Sequence, residues 1–267
     1  MIVAIDLRGW GGSSHPDTDG RHPYSMKKMA RDVELLIQGQ GQPSLDLRPY
    51  ILVGHGMGAK VAQVVASRQP QGLGGLVLIA PVPAGPFTMS DNMLGRYRKA
   101  YERLREFEEV GMMGEEVSIA SSIAHEDLQN LVQDCRRGSR LARKTWWTYG
   151  IASDHSAELS KANVPVLVVV GHRDQMTMVE MVDIEVCGRI AGSEMVVIED
   201  CGHLVPIERP SDLVKEMEEF CGTRLAIGVG ARGKEDAGDI SIECGEHGAR
   251  LVEPSQVNWS NLILEYD

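Results

Sequence analysis

Ten residues, Val53-Gly54-His55-Gly56-Met57-Gly58-Ala59-Lys60-Val61-Ala62, set the narrowest limits on how this chain can fold. The run Tyr50 to Val53 leads into them with the aromatic and β-branched content of a buried strand. Behind them Met57, Val61, Val64 and Val65 recur at helical spacing as far as Arg68. A strand that becomes a helix so abruptly needs small residues at the corner. Gly54 and Gly58 supply them, two positions either side of Gly56 at the tip. Glycine at the tip can adopt left-handed backbone without the ~1–2 kcal/mol borne by other residues. On this stretch alone, anion binding at a helix N-terminus stays open as a second reading.

A chain of 267 residues can bury a full core, so one domain with an inserted subdomain is expected. The net charge of −11 argues against nucleic acid or an anionic membrane as partner. Five cysteines (135, 187, 201, 221 and 244) lack paired spacing, which argues against a disulfide framework. No CxxC or HExxH pattern is present, and no metal or cofactor is expected. Met1 opens directly into a strand-like run, without the charged and apolar segments of a signal peptide or membrane span. A cytoplasmic setting is expected.

Ile2 to Ile5 reads as a short buried strand, followed by Asp6-Leu7-Arg8-Gly9-Trp10-Gly11-Gly12-Ser13. His15 and His22 fall in a polar loop and read as solvated. Tyr24 to Ile37 is an amphipathic helix with Met26, Met29, Ala30, Val33 and Leu36/Ile37 on one stripe. Gly75 to Pro81 is a buried strand. From Pro83 to Asn163 the strands stop and helices alone are legible: one around Leu94, Tyr97, Tyr101 and Leu104, one over Glu126–Cys135 and one over Ser139–Tyr149. Alternation resumes with the apolar run Val164 to Val170, suited to a central parallel strand, and Gly171-His172-Arg173-Asp174. Met195 to Ile198 is the next strand, then Gly202-His203, then Glu208-Arg209-Pro210 and a last helix from Ser211 or Asp212 to about Phe220.

These motifs, in this order, resemble the α/β-hydrolases. The ten-residue stretch is similar to their nucleophile elbow G-x-S-x-G, in the form Gly-His-Ser-Met-Gly. Asp6 to Ser13 resembles the D-x-R-G-x-G-x-S loop after the family's fourth strand. Gly171 to Asp174 resembles the G-x-x-D turn, and Gly202-His203 with Glu208-Arg209-Pro210 the final signature. The resemblance covers residues 2–222 and implies an α/β fold: a mostly parallel central sheet flanked by helices, with an inserted helical cap. The core is expected at 1–83 and 161–222 and the cap at 84–160. Residues 223–267 form a Gly-rich acidic tail, expected to be partly disordered, in which Ile240–Ile242 and Leu262–Leu264 could be weak strands.

The resemblance also assigns roles. Gly56 stands where the nucleophilic serine belongs, Asp174 is the acid, His203 the base, and the N–H of Met57 an oxyanion donor. His55, Trp147 and Tyr149 are candidate contacts for a small, apolar substrate or ligand, though a cap aromatic more often only packs. The second oxyanion donor belongs to the loop after the family's third strand, and this sequence begins at what resembles the fourth. Strands 1–3 of the family are thus expected to be missing, leaving three possibilities: Ile2–Ile5 pairs directly with Tyr50–Val53, a tail strand fills the gap, or the natural chain starts upstream. Three functions stay open: a hydrolase of small ester, amide or C–C substrates, weakened or inactivated at Gly56; a non-hydrolytic enzyme using Asp174–His203 as base; and a ligand-binding or interaction protein.

Overall fold

Four runs of valine, leucine and isoleucine form the parallel sheet on which everything else rests. In this computed structural model, residues 2–16, 23–39, 49–88, 90–92, 94–95, 123–159, 161–225 and 249–252 are described. The strands β2 (Tyr50–His55), β3 (Leu73–Ile79), β4 (Val166–Gly171) and β5 (Glu194–Ile198) lie in that order, all parallel. Val53 pairs with Val77, Leu78 with Val168 and Val169 with Val196. Every residue of β4 is buried, as the continuous apolar run requires of a central strand covered on both faces.

The period of two along each strand divides the core. Leu76, Leu78, Val166, Val168 and Val170 face α1 (Met26–Ile37) and α2 (Gly56–Ser67), whose Met29, Val33, Val61 and Val65 complete the larger cluster. Val77, Ile79, Leu167 and Val169 point the other way, onto Val205, Leu213 and Phe220. The latter two belong to the C-terminal helix Pro210–Phe220. The sheet is therefore a layer between helices, as the α/β pattern implies.

The first strand departs from one expectation. β1 (Ile2–Ile5) does not pair with β2; it pairs antiparallel with β6 (Ala249–Val252), Val3 opposite Leu251, in a separate two-stranded sheet. A strand does come from the tail, at a place different from the two weak candidates there, which lie outside the described residues. The loop after β1 is a self-contained turn: the Asp6 carboxylate accepts from Gly12 N, and Ser13 Oγ donates to the Asp6 carbonyl at 2.6 Å. Arg8 forks onto Asp32 of α1 through two nitrogens, and Trp10 meets Tyr24 edge-on at 6.2 Å.

The insertion after β3 contains the helices His125–Arg137 and Arg140–Thr145; the helix expected around Leu94 to Leu104 lies largely outside the described residues. The expected helix Ser139–Tyr149 is split. Ser139 caps Arg140–Thr145, accepting from Ala142 N, and Trp146–Gly150 widens into a π turn closed by Ile151 N donating to the Trp146 carbonyl. The indole of Trp146 packs on Gly150 in this turn, where a Cβ would come within 2.6 Å of it.

Candidate functional site

The tip of the elbow is Gly56, at φ +53, the first residue of α2. Gly54 is required by close approach. A Cβ on Gly54 would lie 2.6 Å from the Gly58 carbonyl oxygen, so a side chain there would push strand and helix apart. At the tip the situation is reversed. A Cβ built on Gly56 would lie 3.4 Å from Nε2 of His203 and 4.0 Å from its Cε1, meeting, beyond its chain neighbours and the backbone of its own helix, no other atom of the described residues within 4 Å.

His203 and Asp174 come to this point from the C-terminal ends of β5 and β4. Asp174 Oδ2 lies 2.8 Å from His203 Nδ1. Because a carboxylate only accepts, the Nδ1 proton is donated to Asp174, and Nε2 is the nitrogen turned towards Gly56. Three further donors fix the acid: Met176 N at 2.7 Å and Thr177 N at 3.0 Å to Oδ1, and Thr177 Oγ1 to Oδ2. Burial pushes the Asp174 carboxyl up, but the charge and hydrogen bond of His203, with the Thr177 bonds, outweigh it and hold the group below its ordinary range.

The loop carrying His203 is held from two sides. The buried carboxylate of Glu208 accepts from Gly202 N at 2.9 Å and Leu204 N at 3.1 Å, the amides on either side of His203. From the elbow side, His55 Nε2 donates to the His203 carbonyl at 2.9 Å. His55 is buried and its Nδ1 has no hydrogen-bond partner among the described residues; burial, followed by the charge of His203, lowers its pKa to about 3. It is neutral and supports the histidine loop.

Met57 follows the tip directly in α2 and is buried. Trp147 is buried in the same core cluster as Met57, whereas Tyr149 on the next turn is 58% exposed. The structure thus gathers Gly56, Asp174, His203 and His55 at one place, and gives Trp147 a packing position.

Two residues of α2 that sequence reasoning passed over also bear on the site. Lys60 is fully buried, and its Nζ donates to the carbonyls of Gly85 at 2.9 Å and Ile151 at 3.0 Å. Those two segments are themselves joined by Phe87 N to the Ile151 carbonyl and His155 N to the Ala84 carbonyl. Gln63 donates to Val82 O and accepts from Ala84 N. The elbow helix therefore clasps both ends of the insertion. Desolvation lowers the Lys60 pKa to about 7, against a small opposing pull from exposed Asp154. The signal in the sequence was a lone lysine among Ala59, Val61 and Val64. Among the described residues no cluster of side chains could hold a metal, and no helix is long and apolar enough to cross a membrane.

The profile of the alpha/beta hydrolase family matches residues 2–216. Monoacylglycerol lipase abhd6-B of Xenopus laevis is 26% identical over 233 residues, 82% of this chain and 66% of the lipase. The chain thus spans just under two thirds of that relative's length. Among solved structures, an esterase (EaEST) from Exiguobacterium antarcticum superposes with a TM-score of 0.67 at 22% identity, covering 82% of this chain and 80% of that one. A bromoperoxidase from Bacillus anthracis gives 0.69 at 18% identity, covering 81% and 80%. Both share the fold.

Proposed function

This chain belongs to the alpha/beta hydrolase family, and we propose that it is a member that recognises small, largely apolar acyl esters without covalent serine catalysis. The observation that carries the proposal is the bare Gly56 Cα opposite His203 Nε2, where a built Cβ lies 3.4 Å from the ring. Without a hydroxyl there, no acyl-enzyme can form at the tip, and loss of such a nucleophile costs about 10⁴–10⁶ in rate. Met57 N–H is the proposed donor to the substrate carbonyl oxygen. The family relationship supports an ester, and the lipase relative's name makes a monoacylglycerol the first compound to try.

A second reading is favoured by the intact Asp174–His203 pair. In it, His203 takes a proton from water at the tip, a general-base role worth about 10²–10⁴. Asp174 fixes the tautomer and balances the imidazolium charge as it forms. This reading leaves slow, non-covalent hydrolysis.

Labelling with a fluorophosphonate probe tests the first reading. The chain should remain unlabelled and Gly56→Ser should become labelled. Labelling of the unsubstituted chain at Ser13 or Ser14 would move the site away from the elbow.

A further inference from the structure

We propose that Lys60 is a proton-operated latch at the neck of the insertion. Its uncharged amine pins the second end of the insertion, residues 151–156, to α2; protonation releases that end, while Gln63 keeps the first end in place. The device is independent of the chemistry at the elbow tip.

The neck consists of two segments, 82–87 and 151–156. They are joined by Phe87 N donating to the Ile151 carbonyl at 3.0 Å and His155 N donating to the Ala84 carbonyl at 2.8 Å. Two side chains of α2 hold them in different ways. Gln63 Nε2 donates to the Val82 carbonyl at 2.9 Å, and its Oε1 accepts from Ala84 N at 3.1 Å. Those are bonds of a neutral amide, and both go to the first segment. Lys60 Nζ bridges the two, donating to the Gly85 carbonyl at 2.9 Å and the Ile151 carbonyl at 3.0 Å. Among the described residues it is the one side chain of α2 hydrogen-bonded to the second segment.

Two acceptors suit an amine better than an ammonium. An amine gives two N–H groups and an ammonium three, and the third has no acceptor among the described residues. Lys60 is fully buried, so a charge there is also withdrawn from water. Little surrounds it in compensation. Segment 82–87 carries no titratable side chain, the second segment carries Asp154 and His155, and the short helix Ser156–Leu159 carries Glu158. Asp154 is exposed and acts on Lys60 through its charge. Desolvation outweighs that pull and lowers the Lys60 pKa from 10.5 to about 7. Once the second segment lifts and Lys60 meets water, its ordinary value returns. Between the two values the open neck therefore binds more protons than the closed one. Opening becomes easier as the pH falls from 10.5 towards 7, by up to about 10-fold per pH unit, and levels off below.

The test is amide hydrogen exchange of the full chain, followed by NMR between about pH 7 and 9, inside the titration window. Each rate is compared with the intrinsic rate at the same pH. Protection of the Phe87 and His155 amides, which join the two segments, should rise with pH by up to about 10-fold per unit. Protection of the Ala84 amide, held by Gln63, should stay level. Lys60→Met should flatten the two rising profiles. Level protection at Phe87 and His155 in the unsubstituted chain would overturn the latch. So would a rise that persists in Lys60→Met. A parallel rise at Ala84 would overturn it as well, because Lys60 would then act on global unfolding and not on one end of the insertion. The comparison of the three amides within the unsubstituted chain holds even if Lys60→Met folds poorly.

Discussion

The imidazole of His55 holds the main-chain carbonyl of His203 at 2.9 Å, with the two rings 4.9 Å apart and tilted by 53°. The residue beside the elbow tip is thus the brace for the residue that faces the tip. The brace is made by the Nε2 proton, and burial, against the pull of that bond, lowers the His55 pKa to about 3, so the ring is neutral in the fold. In the unfolded chain it binds a proton near pH 6.5, so the unfolded state takes up more protons between pH 6.5 and about 3. His55 therefore stabilises the fold above pH 6.5, and that contribution declines as the pH falls, by up to about 1.4 kcal/mol per pH unit. His55→Gln keeps a donor and does not titrate. Its melting temperature should fall less steeply than that of the unsubstituted chain between pH 7 and 4, taken as roughly the titration window. Parallel curves would mean that His55 is not the titrating group.

Lys60 has the same sign over a different window. Its pKa is lowered from 10.5 to about 7, so between those values the unfolded state holds the extra proton and stability rises with pH. Lys60→Met removes this dependence along with the hydrogen bonds to Gly85 and Ile151. The difference in stability between the parent and Lys60→Met should therefore shift in favour of the parent as the pH rises above 7. Urea unfolding measures it. A constant difference across that range would show that Lys60 is charged in the fold throughout.

Glu208 is the third testable support. Glu208→Ala leaves the buried amides of Gly202 and Leu204 without their acceptor, at about 1–3 kcal/mol for each lost bond. A destabilisation on the order of 3 kcal/mol is expected in urea unfolding, together with a change in the His203 ring resonances by NMR. A cost below about 0.5 kcal/mol, the range of ordinary surface substitutions, would show that the loop around His203 is held by other contacts.

The parallel sheet was legible because buried strands carry their evidence locally: Val166 to Val170 can be little other than a covered strand. The elbow was legible because three glycines at fixed spacing answer a local steric demand. What escaped was set by distant partners. β1 is four residues long, and nothing in Ile2 to Ile5 points to Ala249–Val252 rather than to a neighbour in the sheet. Lys60 carries no sign in the sequence that its amino group meets the Gly85 and Ile151 carbonyls. The π turn at Trp146–Gly150, with the indole of Trp146 packed on Gly150, does not show in helical periodicity alone.

On the function proposed above, Gly56 alone separates this site from a Ser–His–Asp arrangement. The most direct test is p-nitrophenyl acetate hydrolysis by Gly56→Ser, with the Gly56→Ser/His203→Ala double variant as control. A side chain at φ +53 should cost roughly 1 kcal/mol of stability. A serine nucleophile contributes about 10⁴–10⁶, reduced by the 10²–10³ of an oxyanion donor where one is missing. A gain of about 10–10⁴-fold over the unsubstituted chain is expected, abolished in the double variant. A folded Gly56→Ser protein with no gain, or a gain that survives loss of His203, would contradict it.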